Sequence, residues 1–307
     1  MHQVSGRQGV GVSLALLTAL MWGVLPIALK VALQELDPYT ACWIRMSVSS
    51  VLVALWMGAR GQLATAFPSF SVQLVSLCLI AAAGLLGNYL FYNFSLQKLS
   101  PESAQLLIQV APFLMLIGSV WLYKEPFSRR QMLGAVLVII GLLTFFNKNL
   151  LNLLDATSDY SLGVAFMMVS SVTWAIYALV QKKLLKSLSS MAIMLVIYVL
   201  GAVLFFPMAD PGALLLMSPL PMAMLVFCCV NTFVSYGAFS EAMNHIHASR
   251  VSAIITIVPI LTFAVMTLLV EFWPEHFVAE PLNALAYLGA GLVVLGSAFA
   301  SLTKKSS

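Results

Sequence analysis

The chain has 307 residues, of which 61% are apolar and 8% charged, about a third of the roughly 25% charged fraction of a soluble domain. With a mean hydropathy of +0.99 and a net charge of only +4, the composition excludes a soluble enzyme, a nucleic-acid-binding protein and a disordered chain. No water-facing surface could hide so much apolar area, so the chain belongs in a bilayer.

Taken in chain order, the apolar runs predict ten helices: Val10–Leu29, Tyr39–Met57, Val72–Phe94, Ala104–Tyr123, Gln131–Phe146, Leu162–Val180, Leu188–Phe206, Pro221–Ser240, Val251–Val270 and Leu282–Leu302. Each approaches the roughly 20 apolar residues that span a bilayer, and none alternates as a barrel strand would. The first run is too long for the apolar part of a signal peptide, and Pro26 and Lys30 stand where a cleavage site would fall. It is read as a retained helix. Nine runs are free of charge, and the second carries Arg45. The fifth is short. Cys42, Cys78, Cys228 and Cys229 all lie in or beside apolar stretches, which argues against disulfides and a metal site.

The longest polar connector, Asn147–Ser161, divides the spans five and five, giving units 1–147 and 148–307. The two units repeat. Residues 133–141, LGAVLVIIG, match residues 288–296, LGAGLVVLG. Pro112 matches Pro259, Gln105 and Gln109 fall opposite Ser252 and Thr256, and Trp22 finds Trp174. A duplicated unit with an odd number of spans must insert its copies in opposite orientations. The basic residues agree. With a cytoplasmic N-terminus, eleven Lys and Arg fall in inside connections, among them Lys124, Arg129, Arg130, Lys182, Lys183, Lys186, Lys304 and Lys305. Only Lys30, Lys98 and Lys148 fall outside. The loop after the ninth run instead carries Glu271, Glu275 and Glu280. The expectation is an all-α integral membrane protein: ten transmembrane helices, both termini cytoplasmic, arranged as two inverted five-helix repeats around a central cavity.

The segment Trp121-Leu122-Tyr123-Lys124-Glu125-Pro126, followed by Gln131, Gly134, Leu137 and Gly141, resembles the glutamate-and-glycine signature that closes each repeat of EamA proteins in the drug/metabolite transporter superfamily. Arg45 and the serine-rich entry to the fourth run, ending at Pro112, fit the same pattern. The resemblance covers nearly the whole chain. It departs at Glu271-Phe272-Trp273-Pro274, and the second half has no counterpart of Arg45. The resemblance implies a secondary transporter of the bacterial inner membrane. Its central cavity would be lined mainly by the first, third, fourth, sixth, eighth and ninth helices.

Several residues are candidates for that cavity. Asn88, Tyr92 and Ser95 share one face of the third helix, and Gln105, Gln109 and Pro112 one face of the fourth. Ser252, Thr256 and Pro259 do the same on the ninth. Such stripes face either a watery cavity or a neighbouring helix as hydrogen-bonding glue. Trp22, Tyr89, Tyr92, Trp174, Tyr177 and Tyr236 form an aromatic group suited to a flat apolar substrate or an organic cation. Trp121, Tyr123 and Trp273 read as interfacial anchors. Pro26, Pro112 and Pro259 withdraw the helical partners of the carbonyls of Trp22, Ile108 and Ile255, making hinges or simple packing kinks. Glu241, beside Asn244, His245 and His247, is either a proton-coupling carboxylate or a solvated helix-end charge. Arg45 is expected to make structural contacts on a peripheral helix. Gly134, Gly141, Gly289 and Gly296 permit close helix approach, inside the bundle or across a dimer.

These residues point to a transporter of small organic metabolites working by alternating access. The inferred cavity helices lack the basic clamps that sugar phosphates or nucleotide sugars would want. Amides, hydroxyls and rings suit amino acids and related zwitterionic or aromatic compounds, and the resemblance implies their export. A multidrug or organic-cation exporter is the alternative. No catalytic constellation or P-loop is present to suggest an intramembrane enzyme or an ATP-driven pump. No cofactor or metal is called for. The expected partners are a small-molecule substrate, lipid and protons as a candidate coupling ion, in a monomer or homodimer that binds no nucleic acid.

Overall fold

The computed structural model describes residues 7–66, 71–124, 128–150, 152, 155 and 157–301. Among the described residues the long elements are all helices: α1 (Gln8–Ala32), α2 (Pro38–Ala59), α3 (Val72–Lys98), α4 (Pro101–Leu107), α5 (Val110–Tyr123), α6 (Arg129–Phe145), α7 (Asp159–Leu184), α8 (Ser190–Phe205), α9 (Pro219–His245), α10 (Ala248–Ile255), α11 (Val258–Phe272) and α12 (Ala284–Ser301). Nine stretches among these residues are long and apolar enough to cross a membrane, with α4 and α5 jointly forming one and residues 250–272 of α10 and α11 another. The fifth predicted run folds as α6, which at 17 residues is shorter than the nine. The chain is a multi-pass α-helical membrane protein.

The helix starts follow from local sequence. Asp37 accepts the amides of Tyr39 and Thr40 ahead of Pro38 at the first turn of α2. Ser71, Ser100, Ser158 and Ser189 cap α3, α4, α7 and α8 with their hydroxyls, each satisfying an otherwise unpaired amide. Ser128 and Gln131 form a reciprocal capping box on α6. Lys124 closes α5 in the left-handed conformation, φ 53°. Glu125 and Pro126 of the signature segment, and Lys304 and Lys305, lie outside the described residues.

Two spans are broken. The fourth is interrupted at Ile108–Gln109 and the ninth at Thr256–Ile257, each just before a proline at 112 or 259. Proline lacks an N–H and its ring clashes with the carbonyl four residues earlier, which places the first break at Ile108. The Ile108 carbonyl is not left free as the sequence suggested. It accepts the Ala111 amide at 2.9 Å. Pro26, by contrast, sits inside a continuous α1.

The principal packing pairs are α3 with α7, α1 with α9, α2 with α8 and α6 with α12, joined by α5 on α7 and α1 on α11. On α6 and α12 the glycines meet directly. A Cβ at Gly134 would lie 2.5 Å from the Gly296 carbonyl oxygen, and one at Gly141 would lie 2.8 Å from that of Gly289. Only glycine permits this approach, and the contact lies within the chain rather than between copies. One buried cluster gathers Met46, Leu85, Tyr89, Tyr177, Ile193 and Tyr198; a second gathers Leu29, Leu96, Leu106, Phe113 and Met167. Outward faces stay apolar, with Val51, Leu55, Ile139, Leu143, Val203 and Leu204 exposed. A face of that kind fits hydrocarbon rather than water.

Candidate functional site

The residues that converge at the centre come from α1, α2, α3, α8 and α9. On α9 the polar positions Asn231, Thr232 and Ser235 fall on one side of the helix and are buried. Trp22 of α1 donates its indole N–H to the Ser235 hydroxyl at 3.0 Å. Its ring meets those of Tyr236 and Phe239, each with a centroid separation of 5.7 Å. The Thr18 hydroxyl donates to the Ser235 carbonyl at 3.4 Å, and the Asn231 side-chain amide donates to the Met21 carbonyl. Tyr198 and Tyr236 neighbour Tyr89, and the Tyr198 hydroxyl donates to the Thr232 carbonyl at 3.5 Å.

Arg45 lies at the far side of this group. It is 2% exposed, with Cζ 4.6 Å from the centroid of the Tyr89 ring. Its Nε and Nη2 donate to the Thr232 hydroxyl at 3.3 and 3.2 Å, and that hydroxyl donates in turn to the Cys228 carbonyl. The nearby titratable groups are Tyr89, Cys42, Cys228 and Cys229, and none is a carboxylate. An arginine at the centre of a membrane helix costs about 2.5–3.5 kcal/mol on insertion scales. A cation–π contact returns about 0.5–2 kcal/mol. The expectation of a peripheral Arg45 is therefore corrected: α2 packs on α8 and α9, and the guanidinium points among them.

The other anticipated residues divide. Asn88 donates to the hydroxyl and carbonyl of Ser170 on α7, at 2.8 and 3.1 Å, as interhelical glue. Tyr177 is buried and places its hydroxyl 3.9 Å from the Met194 sulfur, while Trp174 packs on the same apolar cluster. Tyr92 is half-buried against the second cluster. Gln105 is buried in α4 and Gln109 half-buried at the break. Thr256 spends its hydroxyl on the Ala253 carbonyl at 2.7 Å, and Ser252 is exposed. Glu241 is exposed near the end of α9, 3.2 Å from His245 and bonded by Asn244 at 3.0 Å. The hydroxyls of Ser103 and Ser100 both donate to Glu280 at 2.5 Å, beside Glu102, whose buried Oε2 has no partner among the described residues. Next to them a cleft of about 390 Å³ is lined by Lys30, Lys98, Ser100, His276 and Glu280, among others.

Sequence reasoning missed the inward place of Arg45, the Tyr198 hydroxyl, the Asn231–Thr232–Ser235 stripe and the Glu102–Glu280 pairing. The stripe was legible, since polar residues at 231, 232 and 235 share a helix face in mid-span. The Glu280 contact was not, because it joins residues 177 apart or more in the chain. Among the described residues no group of three or more His, Cys, Asp or Glu is placed to hold a metal.

The EamA-like transporter family matches residues 9–147 and 161–302. The chain is 37% identical over 296 residues to the uncharacterized inner membrane transporter YhbE of Escherichia coli strain K12, covering 96% of this chain and 92% of that one. It is 34% identical to an uncharacterized transporter of Haemophilus influenzae, over 96% of both chains. The probable amino-acid metabolite efflux pump of Salmonella typhimurium is 22% identical over 92% of each chain. A solved crystal structure superposes with a TM-score of 0.65 at 18% identity, over 98% of this chain and 100% of its own, a likeness of fold alone.

Proposed function

The chain belongs to the EamA-like transporter family, and from that premise we propose that it is an inner-membrane secondary transporter exporting amino acids or related zwitterionic and aromatic metabolites by alternating access. In this reading ten helices cross the membrane, α6 included, with both termini cytoplasmic. The units 1–147 and 148–307 are inverted copies around a central cavity. Support comes from packing that survives exchange of the halves. Under that exchange α3 on α7 becomes α9 on α1, while α2 with α8 and α6 with α12 map onto themselves. Inverted repeats place substrate near the midplane at their interface.

The observation that carries the reading is the contact of Trp22, from one unit, with Ser235 and Tyr236, from the other. It joins rings and hydroxyls from both units at the centre of the fold. An efflux name on the Salmonella relative adds modest weight to amino acids. The ring group of Trp22, Tyr236 and Phe239 also suits an organic cation, which keeps a cation exporter as the second reading.

Counterflow of radiolabelled amino acids in proteoliposomes tests the proposal. Saturable, stereoselective exchange that Trp22→Ala abolishes supports it. Exchange of quaternary ammonium ions with no amino-acid flux moves the assignment to the cation exporter, and flux equal to that of empty liposomes for both sets sinks the transporter reading.

A further inference from the structure

Arginine presents five N–H donors in a rigid fork. In Arg45 the edge formed by Nε and Nη2 is taken by Thr232. The other edge, Nη1 with the second N–H of Nη2, finds no acceptor among the described residues. A buried charge is ordinarily paired, and no carboxylate among the described residues is named beside it. The described acidic residues fall at helix ends and connections, such as Glu35, Asp37, Asp159, Asp210 and Glu241. The guanidinium lies over the ring of Tyr89, which neighbours Tyr198 and Tyr236, and beyond Tyr236 are the rings of Trp22 and Phe239.

Resting on the transporter reading above, we propose that Arg45 is the anchor of a carboxylate subsite. Its open edge receives the substrate carboxylate as a bidentate pair, and the Trp22–Tyr236–Phe239 rings hold the apolar part of the molecule. The chemistry selects a singly charged planar anion. Two parallel N–H···O bonds match a carboxylate fork, and one guanidinium neutralises one charge, whereas a phosphate monoester would bring a second negative charge with no partner. A free organic cation is repelled by the same group, which separates the two readings of the function.

The test is ligand-dependent thermal stabilisation of the purified full-length protein in detergent. The probes are the twenty L-amino acids, their carboxamides and phenyl phosphate. At least one amino acid should bind wild type about tenfold or more tightly than its carboxamide. In Arg45→Gln that ratio should collapse to within about twofold, while carboxamide binding is retained or tightens as the repelling charge is lost, and so reports an intact fold. Should Arg45→Gln fail to fold, Arg45→Lys decides instead. It keeps the charge and removes the fork, so the ratio should fall several-fold, and an unchanged ratio overturns the subsite. The preference should also stay flat from about pH 5 to about pH 7, below the titration of the ligands' amino groups, because a guanidinium does not titrate there. Equal binding of acids and amides by wild type overturns the subsite and leaves the transporter reading standing, as does tighter binding of phenyl phosphate. No stabilisation by any amino acid or carboxamide overturns the amino-acid reading, and the subsite falls with it.

Discussion

Helix α3 packs on α7 and α1 packs on α9, and the two contacts differ in how closely their backbones approach. On the repeat register that aligns Trp22 with Trp174, Met21 corresponds to Thr173 and Thr18 to Ser170. At the α3–α7 crossing Gly84 brings backbone to backbone, so that an added Cβ would lie 2.9 Å from both the Thr173 carbonyl oxygen and the Tyr177 amide nitrogen. At the α1–α9 crossing the Asn231 amide bridges to the Met21 carbonyl, and Trp22 and Thr18 add bonds to Ser235. Asn88 also bonds Ser170 across α3 and α7, so both contacts carry polar bridges, and the first adds a backbone-to-backbone approach at glycine. Polar bridges exchange with water or a ligand at small net cost, because the separated groups find other partners. A glycine contact has no such substitute. Under the proposed alternating access, the α1–α9 contact is expected to separate more readily than the α3–α7 contact, which adds the glycine approach.

The strongest way to break this comparison is Gly84→Leu. Overpacking commonly costs about 1–3 kcal/mol, and the neighbours here are backbone atoms that cannot rotate away, so a loss of about 3 kcal/mol in thermal unfolding is expected. A stable Gly84→Leu protein would show that the crossing is not rigid. Asn231→Leu should cost less, about 1 kcal/mol, while counterflow falls several-fold because the bridge belongs to the opening side. A drop in stability with unchanged flux would reverse that assignment. Trp22→Phe keeps the ring and removes the donor to Ser235. About 0.6 kcal/mol is expected, with the larger effect on substrate affinity in the thermal-shift titration. Lys98→Ala sharpens the contrast from outside. Its 2.6 Å pair with Asp159 is exposed on the aspartate side, so less than about 1 kcal/mol should be lost, and that loss should vanish in high salt.

Much of the helical layout could be read from run length alone, since a bilayer demands long apolar stretches and this chain shows little else. Pro112 and Pro259 and the loss of helical partners at the Ile108 and Ile255 carbonyls were legible; the full interruption two to four residues ahead of each ring and the shorter bond that the Ile108 carbonyl accepts from Ala111 were not. Trp22 and Tyr236 were anticipated within a wider aromatic group, and these two rings do meet. Gln109, Ser252 and Glu241 were chosen for polarity within or beside apolar runs, a property that leaves their direction open; the last two are exposed. Arg45 illustrates the remaining gap. Its unusual chemistry is plain in the sequence, but whether a mid-span cation faces inward depends on the rotation of α2 against α8 and α9, which residue type does not specify.

The glycine seam between α6 and α12 also bears on how the chain is made. Synthesis proceeds from the N-terminus, so α6 enters the membrane long before α12 exists. Its notch at Gly134 and Gly141 must then wait uncovered beside lipid, with four helices of the same unit already inserted. The seam makes assembly of the first unit provisional until the partner arrives. A chain halted before residue 284 should accordingly expose a cysteine placed at 138, whose valine is buried against Gly296 in the seam, to a membrane-permeant thiol reagent, whereas the finished chain should shield it.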